Sequence, residues 1–234
     1  MTIKAIIFDV DGTLADTEDA HRMAFNKTFA DHQLPWNWDV ALYDKLLKVT
    51  GGKERIKHYI ADYLTDFTPP ENLDDFVKQL HLEKTAHYTN MLSDGRIVLR
   101  PGIKQLITEA HRAGMRLAIA TTTSPENVDA LLKVNLGDDW QKYFDSVGCG
   151  DIVPHKKPAP DIYHWVLDEL KLAPQECIAL EDTNNGLRAS LGAGIKTYIT
   201  TNAYTLQQDF TGAEAIFKDL SRLEAFYQAT GLTF

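Results

Sequence analysis

From residue 4 to residue 10 the chain is nearly all apolar, with Ala5-Ile6-Ile7-Phe8 at its centre, and it then breaks into acid as Asp9-Val10-Asp11-Gly12-Thr13. A strand without polar alternation has both faces covered, as in a parallel sheet sandwiched between helices. Runs of the same kind recur at residues 117–120, 178–180 and 197–199, with weaker ones at 146–148 and 215–217. Helical patterns lie between them, over 103–113, 126–134, 161–170 and 186–193. Strand and helix alternate, which predicts an α/β fold, a doubly wound Rossmann-like parallel sheet.

The alternation fails between Thr17 and Asp94, where only helical periodicity is visible. Phe25 and Phe29 lie one turn apart, Leu42, Leu46 and Leu47 share a face, Ile56 and Ile60 repeat the spacing, and Phe76, Leu80 and Leu82 begin another helix. This block predicts an all-helical cap over residues 17–94, inserted into a core made of 1–16 and 95–234, with hinges near 15–17 and 94–101. Trp36 and Trp38 are expected to anchor the cap by packing, and Trp165 to pack in the core.

Charge narrows the partners. Lys+Arg 24 against Asp+Glu 33 gives 24 − 33 = −9, which disfavours nucleic acid and anionic membrane surfaces. No apolar run approaches the roughly 18 residues of a membrane span, and no signal peptide precedes Asp9. Cys149 and Cys177 have no metal or redox spacing with each other or with the histidines. The expectation is a cytoplasmic monomer, or a stromal one if a transit peptide has been removed, acting on a small molecule and binding no zinc.

In an open α/β sheet the ligand site lies beyond the carboxyl ends of the strands, so polar residues directly after apolar strands are the candidates. Asp9 and Asp11 end the first strand, Thr121 follows the strand at 117–120, Lys157 follows the loop after Gly148, and Glu181-Asp182 end the strand at 178–180. Carboxylates converging on one rim repel each other unless a hard cation sits among them. Mg²⁺ is the natural occupant. A lysine and a hydroxyl beside it complete a pocket for a phosphate.

Asp9-Val10-Asp11-Gly12-Thr13-Leu14, Thr121, Lys157-Pro158 and Glu181-Asp182-Thr183 resemble the four ordered motifs of the haloacid dehalogenase superfamily, and the helical insertion resembles its small-cap subclass, which includes β-phosphoglucomutase and many sugar phosphatases. The resemblance implies that Asp9 is the nucleophile that takes the phosphoryl group as an aspartyl phosphate. It implies that Asp11 is the general acid and base, which requires it to be protonated part of the time near neutral pH. The Asp9, Glu181 and Asp182 side chains, with the Asp11 backbone carbonyl, would form the Mg²⁺ cage. Thr121 and Lys157 would neutralise the phosphoryl oxygens, with Thr122 beside them.

Within the cap, Glu18-x-x-His21-Arg22, Trp36-x-Trp38-Asp39 and Thr50-Gly51-Gly52-Lys53-Glu54-Arg55 resemble the CbbY group, whose characterised members are xylulose-1,5-bisphosphate phosphatases. Paired glycines before a helix expose N–H groups to an anion, and Lys53 and Arg55 would clamp a second phosphate beside Gly52. Arg100 would reach the same substrate from the returning hinge. Glu18, His21 and Tyr43 would contact sugar hydroxyls. Lys84 and Tyr88 read as a helix face and its packing, Lys156 as a solvated loop lysine, and Ser124 as the cap of a helix beginning at Pro125. The resemblance implies an Mg²⁺-dependent sugar-phosphate phosphatase, with a phosphosugar mutase, a non-catalytic phosphate sensor and a dehalogenase as alternatives.

Overall fold

The computed structural model describes residues 2–93, 95 and 97–234. Six strands, β1 (Ala5–Phe8), β2 (Arg116–Ala120), β3 (Ser146–Gly148), β4 (Cys177–Glu181), β5 (Lys196–Thr200) and β6 (Ala215–Phe217), form one parallel sheet in the order β3-β2-β1-β4-β5-β6. This is the Rossmann-like doubly wound order, and its strand sequence reverses between β1 and β4.

The all-apolar β1 explains both layers. Ile6 and Phe8 point into a cluster closed by helices α5 (Ile103–Arg112), α6 (Pro125–Leu136) and α9 (Leu223–Thr230). Ala5 and Ile7 point into a second cluster closed by α7 (Asp161–Leu170) and α8 (Asn184–Gly192). The small residues Ala118, Ala120 and Ala179 line that second face and admit the bulk of Tyr163 from α7. Ser124 caps α6 by accepting from the Asn127 N–H.

Between β1 and β2 lie α1 (Glu18–Asp31), α2 (Val40–Leu46), α3 (Gly52–Tyr63) and α4 (Leu73–Ser93), with no strand among the described residues. They share a core of their own. Trp38 sits at its centre, with ring centroids 4.6 Å from Phe25, 4.9 Å from Phe29 and 5.4 Å from Tyr59. Leu82, expected to begin the buried face of a helix, is exposed, because the inward stripe of α4 runs through Val77, Leu80, Lys84 and Tyr88 instead. The two segments joining this helical unit to the sheet pair with each other through an antiparallel bridge from Ala15 to Leu99. The expected boundary at Asp94 lies outside the described residues. No helix is long and apolar enough to cross a membrane among the described residues.

Candidate active site

Strand register assembles the site. Phe8 is paired with Ile119 of β2 on one side and with Leu180 of β4 on the other, so Asp9 and Glu181, each one residue on, and Thr121, two residues beyond Ile119, emerge at the same carboxyl edge. The Asp9 N–H also donates to the Leu180 carbonyl. This is the point at which the strand order reverses, where an open sheet leaves a crevice.

The Lys157 ammonium is buried among three acceptors, Asp9 Oδ1 at 2.7 Å, Glu181 Oε1 at 2.5 Å and the Ala120 carbonyl at 2.8 Å. Burial alone would lower its pKa, but the charges of Asp9 and Glu181 and their hydrogen bonds raise it, so Lys157 stays a cation. Burial pushes Asp9 up to about 7, with Glu181 adding to the rise and Lys157 opposing it. Asp182 is raised well above the usual carboxylate range, first by burial and then by the charges of Asp9 and Glu181.

One oxygen from each of Asp9, Glu181 and Asp182 lies within 4.8 Å of the others. Glu181 Oε1 also accepts from the Tyr163 hydroxyl at 2.5 Å, while the buried Oε2 has no partner among the described residues. Three crowded carboxylates, one with an orphaned oxygen, fit a hard divalent cation. Two glycines make room for them. Gly12 has φ +79°, and a Cβ there would lie 2.0 Å from Asp182 Oδ2; a Cβ on Gly186 would lie 1.9 Å from Glu181 Oε2.

Asp11 departs from expectation. Its Oδ1 accepts from Thr17 Oγ1 at 2.6 Å and from His21 Nε2 at 2.9 Å. Burial would raise its pKa, but His21 and Thr17 outweigh burial and hold it well below the usual carboxylate range. The expectation has Asp11 protonated part of the time near neutral pH; in this arrangement the Thr17 and His21 hydrogen bonds favour its carboxylate form. Lys84 Nζ sits 2.5 Å from His21 Nδ1, so the neutral imidazole accepts from Lys84 on one nitrogen and donates to Asp11 from the other. Burial, then the Lys84 charge, lowers the His21 pKa against the opposing pull of Asp11. Lys84 is not the ordinary helix face read from the sequence: it is buried, and burial first, with Arg55 adding to the effect, pushes it down to about 7.

A cavity of about 540 Å³ opens between sheet and helical unit. Asp9, Asp11, Thr121, Thr122, Lys157 and Asp182 line its core side; Glu18, His21, Gly52, Arg55, Lys48, His81 and Lys84 line the other. Three expected substrate contacts lie elsewhere. Tyr43 is fully buried behind Glu18 and Arg55, donating to the former and accepting from the latter. Lys53 turns away to pair with Asp151 on the core, which also holds Lys156 at 2.7 Å, so Lys156 is no solvated lysine. Arg100 is buried with its guanidinium spent on the carbonyls of Gly12, Thr200, Thr201 and Lys218. Arg55 faces the cavity but gives three donors to Leu46, Val49 and Tyr43, and two of its five remain.

Two core residues absent from the expectations complete the wall. Asn202, just beyond β5, donates to Asp182 Oδ2 at 2.7 Å, and the Tyr204 hydroxyl donates to Asp19 of α1 at 2.8 Å. The strand-end rule that points to Asp9 and Glu181 also points to Asn202. The signal for Lys84 is a charge in the apolar i, i+4, i+8 stripe Leu80, Lys84, Tyr88.

A model of the haloacid dehalogenase-like hydrolases matches residues 3–194. The protein CbbY encoded on a plasmid of Cupriavidus necator is 47% identical over 218 residues, covering 93% of this chain and 86% of that protein. Crystal structures of CbbY from Rhodobacter sphaeroides superpose with a TM-score of 0.89 at 44–45% identity, covering 95% of this chain and 96% of theirs. One holds phosphate, and the other, a mutant, holds xylulose-(1,5)bisphosphate. With strand-end acids, lysine and sheet order in place, the chain belongs to the haloacid dehalogenase-like hydrolase family and is a phosphatase-type enzyme of CbbY-like sequence.

Proposed function

We propose that the enzyme hydrolyses a small sugar bisphosphate, such as xylulose 1,5-bisphosphate, through an aspartyl-phosphate intermediate with Mg²⁺ as cofactor. The observation that carries this reading is the polarity of the cavity. Its floor offers a carboxylate nucleophile beside a locked ammonium, and its roof offers Lys48, Arg55 and Lys84. A ligand with a phosphate at each end matches both. The volume suits a five- or six-carbon sugar carrying two phosphates. The CbbY mutant complex with xylulose-(1,5)bisphosphate supports the substrate class.

In this reading an Asp9 carboxylate oxygen attacks phosphorus, a new P–O bond forms, and the bond to the sugar oxygen breaks. Asp11 protonates the leaving alkoxide, and the proton reaches it along Lys84 and His21, as Lys84 protonates His21 Nδ1 while His21 passes its Nε2 proton to Asp11. Asp11 then takes a proton from water as the water oxygen attacks phosphorus; the P–O bond to Asp9 breaks, inorganic phosphate leaves, Asp9 is restored, and the proton returns from Asp11 through His21 to Lys84. Lys157 and Thr121 stabilise charge on the phosphoryl oxygens. Mg²⁺, held by Asp9, Asp182 and Glu181 with the Asp11 carbonyl, would neutralise negative charge at the same oxygens. The helical unit acts as the specificity cap.

The test is phosphate release over a panel of sugar mono- and bisphosphates with Mg²⁺, with product identity recorded. Preference for bisphosphates is expected. A preference for monophosphates, or isomerised phosphosugar in place of free phosphate, would overturn the reading.

A further inference from the structure

We infer that Asn202, at the carboxyl end of β5, is a positioning residue for Asp182 that holds this carboxylate in the orientation from which it meets a divalent cation. The inference deepens the metal-dependent reading above and rests on it.

Asp182 is buried, so without a donor its carboxylate would be free to turn about its last bond within the cluster. Asn202 Nδ2 removes that freedom by donating to Asp182 Oδ2 at 2.7 Å, and the same amide lies 3.4 Å from the Gly12 carbonyl. On the other side, Asp182 Oδ1 takes only a long contact, 3.4 Å, from Thr13 Oγ1. One oxygen is thus tethered and the other lightly engaged, as expected of a ligand held by an outer donor.

The amide is itself oriented. Asn202 Oδ1 accepts the Tyr204 N–H at 2.9 Å, which assigns the oxygen to the turn and the NH₂ group to Asp182. The Asn202 N–H donates to Thr205 Oγ1 at 2.9 Å, and Thr205 is buried. The turn therefore presents a rigid donor to the cluster. Gly12 completes the fit, because a Cβ at that position would lie 2.6 Å from Asn202 Nδ2 as well as against Asp182.

The experiment is a calorimetric titration of Mg²⁺ into the metal-free full chain, comparing the parent with Asn202→Ala and Asn202→Ser. Serine keeps an oxygen that can accept from the turn N–H but is too short to reach Asp182. Both variants are expected to bind Mg²⁺ about 10- to 100-fold more weakly than the parent. The Mg²⁺ concentration that gives half-maximal kcat is expected to rise by the same factor. Parent and variants binding Mg²⁺ equally would overturn this inference alone. A parent that binds no Mg²⁺ would overturn the metal-dependent reading and this inference with it. Loss of the fold in both variants would assign Asn202 to the turn and overturn the positioning role.

Discussion

Replacing Lys84 with Met separates catalysis from folding. Lys84 Nζ lies 2.5 Å from His21 Nδ1, and His21 Nε2 lies 2.9 Å from Asp11 Oδ1. The substitution keeps the length of a side chain packed 4.8 Å from the Phe25 ring and 5.0 Å from the Tyr88 ring while deleting the proton source. Leaving His21 Nδ1 unpaired costs about 1–3 kcal/mol, and relief of a buried charge offsets part of this. The change in stability should therefore be within about 2 kcal/mol.

The effect on turnover should be larger and should depend on the leaving group. A charge-assisted hydrogen bond contributes about 1.5–3 kcal/mol, so kcat/KM for an alkyl sugar phosphate should fall roughly 10- to 150-fold. p-Nitrophenolate leaves without needing a proton, so its phosphate ester should lose less than about threefold. The pH profile adds a second readout. Burial pushes Lys84 down to about 7, so the relay carries its proton below that pH and loses it above. The parent should show an alkaline decline in kcat/KM for alkyl esters starting near pH 7, and Lys84→Met should lack that decline. Steady-state kinetics on both substrates from pH 5.5 to 9, with a urea melt as control, would decide. Equal losses on both esters, or an alkaline decline that survives in Lys84→Met, would refute the relay.

Asp9→Asn should abolish turnover while preserving the melting temperature, because burial already disfavours the charged form of Asp9; turnover above a few per cent of the parent would count against Asp9 as nucleophile. Chelation should stop activity and Mg²⁺ restore it. Mg²⁺ must displace the protons that burial favours on Asp9 and Asp182, so its apparent affinity should rise with pH through about 7; calorimetric affinities that are flat from pH 6 to 8 would contradict this. Arg55→Ala should lower kcat/KM for a bisphosphate roughly 10- to 150-fold and barely affect p-nitrophenyl phosphate, while Lys53→Ala should cost less than about threefold on either, as expected for an exposed ion pair with Asp151. Gly12→Ala should abolish Mg²⁺ binding measured by calorimetry, because the added methyl occupies the place of Asp182 Oδ2.

The core was legible because its information is local. An all-apolar strand declares that both faces are covered, and the acids behind it declare a carboxyl edge. Pairing of β1 with β2 and β4 then does the rest, bringing Asp9 beside Thr121 and Glu181 across more than a hundred residues of chain. What local pattern does not carry is the state of a side chain after assembly. Asp11 looks like an acid that must hold a proton, yet Thr17 and His21 both donate to it and keep it ionised. The proton it would deliver belongs to Lys84, sixty-three positions beyond His21, and nothing in the sequence near Asp11 announces that link.

The cap shows a different limit, one that elementary helix geometry could have exposed. Lys53 and Arg55 stand two residues apart on α3, so their side chains diverge by roughly 200° and cannot both face one phosphate. The structure resolves the conflict by sending Lys53 to Asp151 and Arg55 to the cavity wall. The cavity recruits its other cations from Lys48, just before the glycine pair, and from Lys84 of α4. Glu54 adds a second constraint. Its carboxylate folds against Gly51, where a Cβ would lie 2.1 Å from Oε2, so the amino end of α3 already has an anion beside it. In the proposed reading a second phosphate would therefore be drawn less by the exposed N–H groups of the glycine pair than by three cations from three segments of the cap. Cap packing, more than the motif around Gly51-Gly52, is what would distinguish a bisphosphate from a monophosphate.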